Sequence, residues 1–283
     1  MKKGGSAHEK GISIWSFPDR TPEVCFALAK KYGFDGVEVG LGGEGPLRYD
    51  STPEEIAEYK RKGESYGLAF YSLVCDDCWK ASLTADDPAE REAAKKMVRR
   101  QIEVAALLGC GTVLVLPGMV QGLSDLDPVV DYEDAYRRAA DALRELAPYA
   151  EARGVVIGLE NVWNKFLLSP LEMRGFLDSI GSDCVKAYFD VGNALRSGFP
   201  QQWIRILGSR ITKVHFKDFK RSVGTLDGFT DILDGDVDYP AVMAALRGIG
   251  YDGWVTAEVF PVGGDVEGLL ARNSQAMDKI LQQ

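Results

Sequence analysis

Val155-Val156-Ile157-Gly158-Leu159-Glu160-Asn161 is the stretch that decides the fold. Its short, β-branched apolar run has the form of a strand buried on both faces, as in a parallel sheet, yet it ends on the carboxylate of Glu160. Three later runs share the pattern. Val185–Asp190 ends on Asp190, Ile211–Phe216 carries His215, and 254–260 carries Glu258. If the four strands are parallel neighbours, these side chains converge near the C-terminal ends of the strands. Two glutamates, one aspartate and one imidazole suit a divalent cation, Mn²⁺ or Mg²⁺ before others, with Zn²⁺ and Co²⁺ left open by ligand type alone.

Any one of these residues, taken alone, reads equally well as a polar group satisfied by hydrogen bonds. Four ionisable groups at matching strand ends are different, because together they are costly without a cation to offset them. The histidine count narrows the chemistry. His8 falls in a polar tail, 1–10, so His215 is the one imidazole expected in the core, and a histidine-rich zinc centre cannot be assembled.

Outward from this stretch, strands and helices alternate. The run 12–17 reads as the first strand, and Thr21-Pro22 opens a helix with Thr21 as cap. The strand 37–39 leads to a glycine-rich loop, 40–45, which lacks the register of a phosphate-binding loop and reads as a flexible turn. Thr52-Pro53, Asp87-Pro88 and Ser169-Pro170 each open a helix, the last with a capping-box pattern ending in Glu172. Further strands are expected at 68–74 and 112–116, a helix at 131–154 bent by Pro148, and helices at 199–208, 240–248 and Val266–Leu281. Eight strands alternating with eight helices predict a (β/α)₈ barrel, an α/β fold of one domain over 1–283.

Composition agrees. An apolar fraction of 46% over 283 residues is ample for one large core. The net charge of −9 opposes a phosphate backbone, so nucleic acid is not an expected partner. No apolar run reaches the roughly 18–20 residues of a membrane span and the first residues are polar, which together predict a cytoplasmic protein. Five cysteines, an odd number, suit reduced thiols, and the Cys75-x-x-Cys78 pair has no second pair to complete a zinc site.

Gly158-Leu159-Glu160-Asn161, Phe189-Asp190-Val191-Gly192-Asn193, Val214-His215-Phe216-Lys217-Asp218 and Ala257-Glu258-Val259 resemble the sugar phosphate isomerase/epimerase group of xylose isomerase-like barrels, and within it the ketose 3-epimerases. The resemblance covers nearly the whole chain. It implies that Glu160, Asp190, His215 and Glu258 bind a divalent metal and that Glu160 and Glu258 double as the acid/base pair. The implied reaction is isomerisation, foremost 3-epimerisation, of a ketose or ketose phosphate, by proton abstraction next to the carbonyl through a metal-stabilised enediolate.

Around that core, Arg221 stands where the ketose 3-epimerases carry a substrate-binding arginine. Lys217 shares a strand face with His215 and is expected to hold a hydroxyl or phosphate. Asn193 replaces a histidine of those enzymes, Leu167 replaces a substrate-binding glutamate, and Trp15 is expected to wall the pocket. A lyase acting on a keto-sugar or keto-inositol would share the first step. The abasic-DNA endonucleases of the same superfamily use a histidine-rich zinc centre and a basic surface, which this chain lacks. A homo-oligomer, dimer or tetramer, is compatible with this reading.

Overall fold

The computed structural model describes residues 8–260 and 264–282. Eight parallel strands close into a barrel in the order β1 (Glu9–Ser13), β10 (Trp254–Ala257), β7 (Ile211–Phe216), β6 (Val185–Asp190), β5 (Val156–Glu160), β4 (Thr112–Val115), β3 (Ala69–Cys75) and β2 (Gly36–Leu41), with β2 returning to β1. Helices α1 (Pro22–Lys31), α2 (Pro53–Ser65), α3 (Pro88–Leu108), α4 (Tyr132–Glu151), α5 (Pro170–Ile180), α7 (Pro200–Leu207), α8 (Tyr239–Gly248) and α9 (Val266–Leu281) link and cover the strands. The expected (β/α)₈ architecture is the observed one. Two small additions elaborate its C-terminal mouth: a short helix α6 (Val191–Leu195) directly after β6, and an antiparallel ribbon of β8 (Asp218–Phe219) with β9 (Phe229–Thr230).

Local chemistry sets the helix ends. Thr52 and Glu55 form a full capping box, and Asp87 caps α3, which Gly109 ends in the left-handed region at φ 81°. Ser169 accepts from the Glu172 amide, but the Glu172 carboxylate reaches Leu168 N instead of closing the box. Thr21 makes no side-chain cap; its own amide donates to Asp19.

The N-terminal expectation needs correction. The first strand lies three residues earlier than the apolar run suggested, because Ser13 accepts from Trp15 N and turns Ile14–Ser16 into a 3₁₀ helix. Glu9 and Lys10 therefore belong to a strand paired with Trp254 and Val255, and not to a tail. The Lys10 ammonium is buried, satisfied by Ser274 Oγ at 3.0 Å and Asp278 Oδ1 at 2.5 Å. His8 is buried too, stacked on Tyr251 and within 3.4 Å of Gly253 O. Residues 1–7 lie outside the described part.

The barrel interior is filled by large polar-tipped rings that need glycine opposite them. A Cβ on Gly11 would stand 1.9 Å from the Tyr71 hydroxyl, and one on Gly158 would stand 2.9 Å from the Tyr188 ring. The five cysteines are free thiols, and burial pushes Cys25 and Cys110 up to about 12. Among the described residues no helix is long and apolar enough to cross a membrane.

Candidate metal centre and substrate cavity

Period-two alternation puts Glu160 at the end of β5, Asp190 at the end of β6 and His215 near the end of β7 on the inward face, while Glu258 lies one residue past β10. Their strands are consecutive in the barrel, and Asp190 pairs in register with His215. One donor atom from each of the four lies within 4.8 Å of the others, and all four residues are buried. His215 Nδ1 is 3.1 Å from Glu258 Oε2, 3.6 Å from Glu160 Oε1 and 3.8 Å from Asp190 Oδ2.

Two of the ligand candidates, Asp190 and His215, are held from behind. Asn161 clamps the Asp190 backbone with two hydrogen bonds, donating to its carbonyl and accepting from its amide. The Asp190 carboxylate accepts from Asn193 N at 2.6 Å through Oδ1, which leaves Oδ2 turned to the centre. His215 Nε2 lies 3.0 Å from Glu38 Oε1, and Tyr188 donates its hydroxyl to the other oxygen of Glu38. A carboxylate can only accept, so Nε2 carries the hydrogen, and whenever the ring is neutral it is the Nδ1 lone pair that faces the cluster. Glu38 and His215 are both fully buried.

The residues fit a divalent cation. Among the described residues, four buried side-chain atoms have no hydrogen-bond partner: Asp190 Oδ2, His215 Nδ1, Glu258 Oε2 and Ser72 Oγ. Three of the four point into one cluster. Lys217 Nζ is close to two of them, 2.7 Å from Glu258 Oε2 and 3.3 Å from Asp190 Oδ2. These are ion-pair distances without hydrogen-bond alignment, so the ammonium supplies charge and leaves the lone pairs unused. One ammonium, Lys217, stands among the carboxyl groups of Asp190, Glu258 and Glu160, while Glu38 is taken up by His215 and Tyr188; hard-oxygen ligation would offset the carboxylates that remain.

Burial and the neighbouring carboxylates of Glu258 and Asp190 push Glu160 up to about 7. Burial also raises Asp190. At Glu258 burial acts upward, but Lys217 and His215 outweigh it and hold this carboxyl below the usual range. Burial pulls the imidazole down, yet Glu38, Glu160 and Glu258 leave His215 well above its ordinary value.

The cluster forms part of the floor of a cavity of about 780 Å³ whose lining includes Trp15, Trp163, Asn193 and Lys217. Trp15 is fixed by its indole N–H to Asp76 Oδ1 at 2.6 Å, and Asn193 Nδ2 lies 3.4 Å from Glu160 Oε1. Arg221 stands apart from this group. It is not among the described lining residues; its guanidinium packs over Phe199 and donates to Gly198 O, because the chain after Phe219 turns outward into the ribbon. Leu167 is buried with φ 53° and is not among the described lining residues of this cavity. In the glycine-rich loop, Gly43 N donates to Asp77 Oδ2 at 2.8 Å.

Sequence reading passed over Glu38 and Asn161. The signal for Glu38 was a single carboxylate between Val37 and Val39 in an otherwise apolar strand. For Asn161 it was an amide directly after Glu160.

The inosose dehydratase of Serratia proteamaculans (strain 568) is 26% identical over 262 residues, 85% of this chain and 83% of that protein. The L-ribulose 3-epimerase of Methylomonas sp. (strain DH-1) is 26% identical over 248 residues, 83% and 77% of the two chains. In fold, the chain resembles D-psicose 3-epimerase from Clostridium cellulolyticum H10, with a TM-score of 0.80 at 19% identity over 97% of this chain and 99% of the other. Residues 26–280 match the sequence profile of the xylose isomerase-like TIM barrels, and the chain belongs to that family.

Proposed function

We propose that this protein is a divalent-metal-dependent sugar isomerase or epimerase, with 3-epimerisation of a ketose as its leading reaction. The observation that supports it most is the meeting of three orphaned buried atoms, on Asp190, His215 and Glu258, with the Glu160 carboxylate. The bound ion, Mn²⁺ or Mg²⁺ by donor type, would polarise the sugar carbonyl and neutralise charge developing on its oxygen.

The remaining chemistry falls to side chains. Glu160 and Glu258 come from the outermost of the four consecutive strands, with β6 and β7 between them. They therefore address a substrate from two sides, one removing the proton next to the carbonyl and the other returning a proton to the opposite face. Lys217, beside Glu258 and Asp190, keeps Glu258 ionised and offers an N–H to a substrate oxygen. Asn193 offers its amide beside Glu160.

A second reading draws on the similarity to inosose dehydratase. The same proton removal followed by departure of the β-hydroxyl as water gives a dehydratase. One experiment separates the two. Metal-loaded protein is incubated in heavy water with a panel of ketoses and an inosose, and NMR follows which carbon takes up deuterium. Exchange with inversion at C3 is the expected result, and an unsaturated product would establish dehydration instead. No exchange with any substrate by fully metallated protein would refute the proposal.

A further inference from the structure

A second cavity, of about 280 Å³, lies beside the first. Trp163 lines both and stands between them. Phe229, on the side of the larger cavity, packs against its ring at 5.1 Å between centroids, while Arg196, on the side of the smaller, holds its guanidinium carbon 4.2 Å from the ring centroid. The two cavities differ in charge. The described lining of the larger one carries the carboxylates of Glu160, Glu258, Asp227, Asp231 and Asp265 against Lys217 and Arg272. That of the smaller carries Lys165 and Arg196 and no carboxylate. Glu172 reaches the loop that forms one wall, but it is spent on Leu168 N and the Tyr132 hydroxyl.

The smaller cavity is built of apolar walls with its charges at the rim. Phe166, Leu167 and Trp203 are buried, while Lys165 and Arg196 are exposed. Lys165 and Leu167 both lie in the left-handed region, at φ 56° and 53°, where residues other than glycine are uncommon. Fixed partners hold that backbone: Phe166 N donates to Asn164 Oδ1, Leu167 N to the Tyr132 hydroxyl and Leu168 N to Glu172. Strain pinned in this way is typical of ligand clamps, and here it keeps the wall preformed.

The uncommitted groups are donors. Arg196 has the Trp163 ring as its partner and no ion pair among the described residues. The Trp203 indole N–H donates to nothing among the described residues and is not sealed from solvent. Lys165 is held by Gln121 and, at 3.5 Å, by an Asp125 carboxylate that is 98% exposed, a weak surface pair. Donors and cations without facing carboxylates call for an anion, and apolar walls call for an apolar body. At roughly 30 Å³ for each non-hydrogen atom, a water molecule's share of liquid volume, the space holds about nine atoms.

We infer that this second cavity is a binding site for a small organic carboxylate, its apolar body against Phe166, Leu167 and Trp203 and its carboxylate on Arg196 and Lys165. A guanidinium fork matches a carboxylate in two parallel hydrogen bonds, whereas a sugar phosphate would bring hydroxyls that these walls cannot satisfy. The site is separate from the reaction proposed above and does not depend on it.

Calorimetric titration of the Mg²⁺-loaded protein with benzoate, benzamide and inorganic phosphate tests the inference. Benzoate and its neutral isostere benzamide have about nine non-hydrogen atoms each and fit the space. Benzoate is expected to bind once per chain, at least about tenfold tighter than benzamide, because hydrogen bonds to charged groups are the stronger ones. The Lys165→Gln, Arg196→Gln double variant should abolish that preference; both side chains are exposed, so the core stays intact. Removing the metal with a chelator should leave the preference in place, since neither cation belongs to the metal cluster. Benzamide or phosphate binding as tightly as benzoate, an unchanged preference in the double variant, loss of benzoate binding on chelation, or no saturable benzoate binding would each overturn the inference, and none of them bears on the proposed function.

Discussion

Replacing Glu38 by glutamine tests how the cluster is built without touching a ligand candidate. Glu38 is fully buried and accepts two hydrogen bonds, one from Tyr188 and one from His215 Nε2. Glutamine keeps the shape but has one accepting oxygen and one donating nitrogen. If its oxygen faces His215, its NH₂ meets the Tyr188 hydroxyl, which burial and Glu38 keep protonated in the wild type. If its nitrogen faces His215, the imidazole must move its hydrogen to Nδ1 and the lone pair aimed at the cluster is lost. Either arrangement weakens the histidine. Loss of such an outer partner typically costs about tenfold to a hundredfold in metal affinity, or about 1.4 to 2.8 kcal/mol. Calorimetric titration of the demetallated protein with Mn²⁺ at neutral pH reads this directly, with far-ultraviolet circular dichroism confirming the fold. A Glu38→Gln affinity within twofold of wild type, while His215→Ala abolishes binding, would refute the role of Glu38 in presenting His215.

Binding of one divalent ion per chain should stabilise the protein by about 2.7 kcal/mol at a hundredfold excess over Kd, so chelation should lower Tm by several degrees, and Asp190→Ala should remove the difference. Glu258→Gln, assayed at saturating Mn²⁺ with bound metal quantified in the same sample, should lose about a hundredfold to ten-thousandfold in hydrogen exchange; near wild-type turnover would exclude an acid/base role. Gly158→Ala should cost about 1–3 kcal/mol in chemical denaturation, because its Cβ would meet the Tyr188 ring at 2.9 Å. Burial holds His8 below its ordinary value, so the unfolded chain takes up the proton first as pH falls. Its contribution is complete above about pH 6.5 and lost below it, and His8→Phe should flatten the pH dependence of unfolding there, with Asp252 and Arg247 the charged groups nearby.

Where local chemistry decided the structure, the sequence was legible. β6 (Val185–Asp190), β7 (Ile211–Phe216) and α9 (Val266–Leu281) fall where the apolar runs placed them, and α3 begins and ends at its Asp87 and Gly109 signals. Distant partners hid the rest. Lys10 sits in a strand because Ser274 and Asp278, more than 260 residues away, satisfy its ammonium, and no local pattern announces that. Arg221 was expected in the pocket from the resemblance to the ketose 3-epimerases, but a two-residue strand and its ribbon intervene and carry it outward. Glu38 was visible as a lone charge, but its meaning depends on β2 and β7 meeting across the interior without being neighbours in the sheet.

That interior contact ties the site back to the strand that fixed the fold. On β5, Gly158 and Glu160 are two residues apart and so share the inward face. Glu160 supplies a candidate ligand, while Gly158 leaves the space in which the Tyr188 ring lies. Tyr188, two residues before Asp190 on β6, spends its hydroxyl on Glu38, and its ring meets the His215 ring edge-on at 4.7 Å. Glu38 then fixes which nitrogen of His215 faces the cluster. Four buried carboxyl groups around one ammonium and one imidazole are unfavourable as packing alone, and a barrel stabilised only by its core would be better served by apolar side chains at these positions. The arrangement is instead satisfied at every rear-facing atom of Asp190 and His215 and unsatisfied only toward the common point. A side chain a methyl group larger at Gly158 would therefore disturb the centre through Tyr188, Glu38 and His215 in turn, although residue 158 contributes no donor to it.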